Sequence, residues 1–178
     1  DVERLFAFLK RTLERRKAQF ARAGAFTRSE YATKTGDPMP RILVLLDGYS
    51  GFVSAFERVN LGELTDALPR IVADGRPLGI HFAISADRRG AVPNALAGIV
   101  PTKVVLRMAD EDEFGALGIP PKIVRGAHLP PGRGFLPGGT ELQVAHDVDL
   151  LDRAGELRAR YPGEEVAGVD PLPARIEA

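Results

Sequence analysis

The sequence contains no cysteine. That excludes a disulfide framework and a thiolate metal site, and it fits a reducing compartment, with the cytosol as the default. Net charge is also absent, because 24 basic residues stand against 24 acidic ones. No global field therefore recruits nucleic acid or a membrane surface. No apolar run approaches the ~20 residues that a helix needs to cross a bilayer, and the N-terminus carries no signal-peptide pattern. The three histidines, His81, His128 and His146, lack metal-ligand spacing, and His81 reads as a packed strand residue. No Gly-Lys pair occurs anywhere. With it goes the G-x-x-x-x-G-K-[ST] loop, whose amides and lysine cradle nucleotide phosphates. The glycine-rich "PPGRG" and "PGG" lie next to strands, lead into no helix and read as turns.

What remains is an ordinary globular composition: 178 residues, 44% hydrophobic and 27% charged, within the span of one domain. The chain starts at Asp1, already inside a helical pattern, and reads as a piece of something longer. From Val2 to about Ala23 the apolar residues Val2, Leu5, Phe6, Leu9, Leu13 and Phe20 recur mostly at three- and four-residue steps, as on an amphipathic helix. Its other face carries Arg4, Lys10, Arg11, Arg15, Arg16, Lys17 and Arg22; it reads as a solvated face in preference to a nucleic-acid contact, because Glu3 and Glu14 interrupt it. Gly24 is placed as a C-cap. A short helix follows, opened by Thr27 or Ser29 and closed by Gly36.

Ile42 to Leu46 is too short for a helix between Pro40 and Gly48, and it is continuously apolar. It predicts a central strand of a parallel sheet with both faces buried. A helix from about Leu61 to Ala73 comes next, then a strand from Ile80 to Ser85, a short helix in "VPNALAGIV", and a third strand from Lys103 to Met108. "DEDEFGALG" has acids in its first turn and glycine at its end, as a helix does. Gly134 to Leu136 and Glu141 to Ala145 flank a Pro-Gly-Gly turn and predict a hairpin. An amphipathic helix covers roughly Asp149 to Tyr161, and the proline-rich tail reads as linker.

Alternating strands and helices predict an α/β fold with a mostly parallel sheet, flanking helices and a C-terminal hairpin. Ligands of such sheets sit at the carboxyl ends of the strands. Asp47 ends one strand there, and Ser85, Ala86, Asp87 and Arg88 end the next. A buried strand closed by aspartate is the Walker B pattern, in which a rigid strand end holds Mg²⁺ at nucleotide phosphates. Asp-Gly is equally a favoured turn pair, and the pattern alone leaves both readings open. Gly48 occupies the position where many such ATPases carry a glutamate to orient water, and glycine can do no proton chemistry. Arg88 and Arg89 read as an arginine finger or as surface residues, Arg107 and Arg133 as structural ion-pair partners. Ser50 and Ser54 have no base nearby in sequence, so no hydrolase triad is supported.

Several stretches together resemble one family. "PRILVLLDGYSGF", "GRPLGIHFAISADRRGAVPNALAGIVPTKVVLRMADEDEFGALGIP" and "LPPGRGFLPGGTELQVA" resemble the FtsK/SpoIIIE ATPase domains. The likeness is greatest to the tandem domains of actinobacterial EccC/EssC-type proteins, the motors of type VII secretion. "ERLFAFLKRTLERRKAQFARAG" resembles the long helix between their Walker A and Walker B regions. The resemblance implies a RecA-like P-loop NTPase core, incomplete at its N-terminus, with residues 1–165 as a partial ATPase domain and 166–178 as linker. It implies ATP and Mg²⁺ as cofactors, Asp47 as the metal-holding aspartate, and Ser85, Asp87 and Arg88 in the region that contacts the nucleotide. Ala86 and Asp87 replace the common polar pair there; with Gly48 this points to a degenerate domain that is inactive alone. The implied partners are neighbouring ATPase domains or subunits, a secreted protein substrate, or DNA in a translocase reading. The implied location is cytoplasmic, within a membrane-associated assembly.

Overall fold

The computed structural model describes residues 2–145 and 149–163; the predicted linker at 166–178 lies outside them. Two compact units divide the chain, the first reaching Pro101 and the second starting at Thr102.

The first unit opens with helix α1 (Val2–Ala23), whose Phe6, Leu9, Leu13 and Phe20 are buried as their spacing predicts. Arg16 corrects the predicted solvated face. It falls on the apolar stripe by spacing and is only 3% exposed. A buried guanidinium must find acceptors, and Arg16 finds two carbonyls: Nη1 donates to Leu78 O at 2.7 Å and Nη2 to Pro40 O at 2.7 Å. It therefore ties α1 to the two chain segments that enter the strands. Burial lowers its pKa, as do the neighbouring charges of Arg15 and Arg28. Helix α2 (Arg28–Thr35) is capped by Thr27, whose side chain accepts from the Glu30 amide, and ends at Gly36 in the left-handed region.

Strand β1 (Ile42–Leu46) runs parallel to β2 (Ile80–Ile84), with Ile42 opposite Ile80 and Leu46 opposite Ile84. Between them lie α3 (Tyr49–Phe56), a 3₁₀ turn (Val59–Gly62) and α4 (Glu63–Gly75), and α5 (Asn94–Ile99) follows β2. The sequence reading missed α3 and placed α4 two residues early. One face of the strand pair, carrying Ile42, Val44, Leu46, Ile80, Phe82 and Ile84, packs on the core formed with α1, α3, α4 and α5. The other face does not: Leu43 is 63% and Leu45 72% exposed. This corrects the expectation of a strand buried on both sides. In the described sheet β1 has β2 as its single neighbour, and alternate side chains necessarily point to opposite faces.

The second unit contains α6 (Asp112–Ala116), α7 (Pro121–Val124), strands β3 (Arg133–Phe135) and β4 (Glu141–Gln143), and α8 (Leu150–Arg160). The predicted hairpin is present, with Arg133 opposite Gln143 and Phe135 opposite Glu141. The predicted strand from Lys103 to Met108 is not. It is reduced to a single antiparallel bridge between Val105 and Phe135. Val105, Phe114, Ile119, Val124 and Phe135 make a separate small core. Helix α8 has the predicted limits, but none of its residues is buried. The observed architecture is thus mixed α/β, with one small parallel and one small antiparallel sheet.

Candidate functional site at the strand ends

The register of β1 and β2 places Asp47 and Ser85 side by side, because each is the first residue past a paired strand end. Backbone bonds carry the ladder slightly further: the Ser85 amide donates to Leu46 O and the Tyr49 amide to Ser85 O, each at 2.9 Å. The Ser85 hydroxyl donates to Asp47 Oδ1 at 2.6 Å and accepts from the Gly48 amide at 2.8 Å. One hydroxyl thereby fixes both the carboxylate and the turn behind it.

Gly48 has φ near +76° and caps α3. The left-handed region costs a residue with a side chain about 1–2 kcal/mol, so glycine suits the turn that Asp47 enters. The Asp-Gly pair turns the chain and leaves an aspartate at the strand end. Beneath it, Tyr49 is buried at the start of α3, near Phe52 with ring centres 6.3 Å apart. Burial pushes its phenol pKa up.

Ser50, in the first turn of α3, donates its hydroxyl to Asp87 Oδ1 at 2.7 Å. This bond holds the Asp87 carboxyl below its ordinary pKa, helped by local backbone amides and the Arg88 charge. Sequence reasoning missed Ser50 because its partner lies 37 residues away; the sole local signal was a hydroxyl three residues past Asp47. Ser85 and Asp87 thus stand on the β2 side and Asp47 and Ser50 on the β1–α3 side of one exposed, hydrogen-bonded strand-end site. Arg88 is exposed and acts on Asp87 through its charge and its backbone amide.

The other candidates fall elsewhere. Arg133 forms an ion pair with Glu141 across its hairpin, as predicted. Arg107 is exposed, outside any strand, and has no ion pair among the described residues. His81 is half-buried and borders an open cavity rather than lying in the core. Among the described residues no group of three His, Cys, Asp or Glu side chains could cage a metal. The donor set at the strand ends is all oxygen, however: the carboxylates of Asp47 and Asp87 and the hydroxyls of Ser50 and Ser85. Hard Mg²⁺ suits such a set, since it keeps several waters and takes one or two carboxylates together with substrate phosphates. In that respect the residues fit a magnesium–nucleotide.

The chain is a mixed α/β protein whose parallel strand pair presents a carboxylate and a hydroxyl at its carboxyl ends, the position where ligands of parallel α/β sheets sit. No protein-family model matches the chain. It is 26% identical to the ESX-4 secretion system protein EccC4 of Mycobacterium tuberculosis, over 99% of this chain and 14% of that protein. It is 24% identical to the ESX secretion system protein YukB of Bacillus subtilis, over 98% of this chain and 12% of that protein. Among solved structures, it resembles Thermomonospora curvata EccC (ATPases 2 and 3) in complex with a signal sequence peptide. The TM-score is 0.79 and the identity 22%, over 97% of this chain and 33% of that one. It also resembles the monomer form of the pCW3 conjugation coupling protein TcpA with ATPγS. There the TM-score is 0.66 and the identity 20%, over 88% of this chain and 48% of that one.

The chain is homologous, over nearly its whole length, to the EccC/EssC type VII secretion ATPases, which are of the FtsK/SpoIIIE type. It spans about one-eighth of the curated relatives' length. Among the described residues no helix is long and apolar enough to cross a membrane.

Proposed function

We propose that this chain supplies the magnesium-holding half of a nucleotide site in a type VII secretion ATPase, and that it does not turn over ATP by itself. In this reading the strand pair and the segments around it are part of a RecA-like core. The observation that carries the proposal is the bond from Ser85 Oγ to Asp47 Oδ1, which fixes a carboxylate at the end of a paired parallel strand. The second Asp47 oxygen accepts no hydrogen bond from the described residues and is available to a metal-bound water.

Bound Mg²⁺ would neutralise phosphate charge, which is its role in phosphoryl transfer. The chain's own residues then divide the work. Asp47 binds, Ser85 orients Asp47, Ser50 holds the Asp87 carboxylate in place, and Arg88 adds positive charge beside the phosphates. Gly48 offers no carboxylate to activate water, and no Gly-Lys pair supplies the phosphate cradle. Those two features support the inactive reading.

Calorimetric titration with Mg·ATP tests the proposal. The expected result is weak, magnesium-dependent binding without phosphate release, abolished by Asp47→Asn and weakened by Ser85→Ala. Binding that ignores Asp47→Asn or needs no magnesium overturns the site. Turnover by the chain overturns the claim of inactivity.

The exposed Leu43 and Leu45 favour a second reading, a non-catalytic module whose apolar face meets a neighbouring ATPase domain or a secreted substrate. The T. curvata relative in complex with a signal sequence peptide supports it. A thermal shift with such a peptide, and none with nucleotide, would decide for this reading.

A further inference from the structure

The amino ends of the strands, opposite Asp47 and Ser85, carry a different chemistry. An open cavity of about 390 Å³ is lined there by Arg28, Arg41, Arg76 and His81, with the Thr27 and Ser29 hydroxyls and the Pro77–Gly79 backbone completing it. Among the described residues no carboxylate lines it, although the chain as a whole is neutral. The positive charge is concentrated by the fold. Arg41 directly precedes β1, His81 is the second residue of β2, Arg76 follows α4, and Arg28 opens α2.

Two of these arginines are uncommitted. Arg28 spends Nε on Met39 O at 2.6 Å and Nη2 on Pro38 O. Arg41 and Arg76 are exposed, and their guanidiniums make no ion pair or hydrogen bond among the described residues. Behind the cavity the buried Arg16 has only carbonyl acceptors, and its pKa is lowered by burial and then by the charges of Arg15 and Arg28. The backbone lets these arginines converge because Gly79 has no side chain. A Cβ there would stand 2.8 Å from Arg28 Cδ and 3.3 Å from Arg16 Nη1.

We propose that this cleft binds a small phosphate-type anion, gripped by the Arg41 and Arg76 guanidiniums with hydroxyl help from Thr27 and Ser29. Guanidinium forks match the geometry of phosphate oxygens and form charge-assisted hydrogen bonds with them. An anion would also offset the crowding of Arg16 and Arg28. The site is separate from the strand-end nucleotide site and does not depend on that reading.

The test uses pyrophosphate as probe, at constant ionic strength, followed by the ring resonances of His81 with His128 in the second unit as reference. The expected result is a saturable shift of His81 alone with sub-millimolar affinity. The double variant R41Q/R76Q, whose substituted side chains are exposed, should keep its circular dichroism and lose roughly tenfold or more in affinity. Asp47→Asn should bind pyrophosphate like the parent. Parallel shifts at both histidines, binding unchanged in the double variant, no saturation, or equal affinity for citrate would each overturn the proposal.

Discussion

The Ser50 hydroxyl donates to Asp87 Oδ1 at 2.7 Å, joining the first turn of α3 to the segment after β2. That bond is the largest cause of the lowered Asp87 pKa. In Ser50→Ala the carboxyl should titrate closer to its ordinary value of 3.8. Carbon-detected NMR of the carboxyl measures the change, and an unchanged titration would show that the hydroxyl does not act on it. The sign of the pH effect follows. A carboxyl whose folded pKa is depressed stabilises the fold above its unfolded pKa, and that contribution is lost as pH falls through the folded value. The parent should therefore lose this contribution only in acid below 3.8, and Ser50→Ala should have little of it to lose.

Arg16 is the stability prediction with the largest expected effect. Its side chain bonds Leu78 O and Pro40 O. Arg16→Ala leaves both carbonyls to find other partners and opens space beside α1. A loss of about 2–4 kcal/mol in urea unfolding is expected. Arg16→Lys should recover only part, because one ammonium does not reproduce a fork directed at two carbonyls. Full recovery by lysine would contradict the fork argument.

Gly79 tests the same junction from the backbone side. Its φ is near +78°, and an added Cβ would collide with Arg28 and crowd Arg16. Gly79→Ala should cost about 1–3 kcal/mol, measured by the shift of the urea midpoint. At Gly36, also left-handed but with nothing within 4 Å of the added carbon, the same substitution should cost about 1 kcal/mol, the conformational part alone.

The two faces of the strand pair should respond differently to mutation. Ile80 is fully buried, so Ile80→Ala should cost about 2–5 kcal/mol. Leu45 is 72% exposed, and Leu45→Ser should fall within about 0.5 kcal/mol of the parent. A large loss at Leu45 would mean that something covers this face in solution.

In the second unit, Phe114 meets Phe135 edge-on with ring centres 6.3 Å apart, and both are buried. That core has five buried residues among those described, and Phe114→Ala should cost about 3–5 kcal/mol. Loss of near-ultraviolet dichroism and faster amide exchange at the Val105–Phe135 bridge should accompany it.

Where local chemistry decides, the sequence was sufficient. The three- and four-residue apolar steps set α1, the Thr27 and Gly36 caps bounded α2, and the short apolar runs before Asp47 and Ser85 marked both parallel strands. The Pro-Gly-Gly turn marked the hairpin, and the positions of Asp47 and Ser85 at neighbouring strand ends were legible as well. Tertiary structure alone decided the rest, because those features depend on partners distant in sequence. A helix pattern cannot reveal that Arg16 will meet two carbonyls arriving from residues 40 and 78, so it was assigned to water. The run from Lys103 to Met108 has strand composition, yet a strand needs a neighbour along its length, and Phe135 provides only one bridge. Leu43 and Leu45 look like core by composition, but a side chain is buried only where something lies on its face of the sheet. Identity and spacing of residues thus determined the elements and the location of the strand-end carboxylate. Which side chains are covered, paired or concentrated into a basic cleft was decided by the pairing of distant segments, an interaction that no local window of sequence contains.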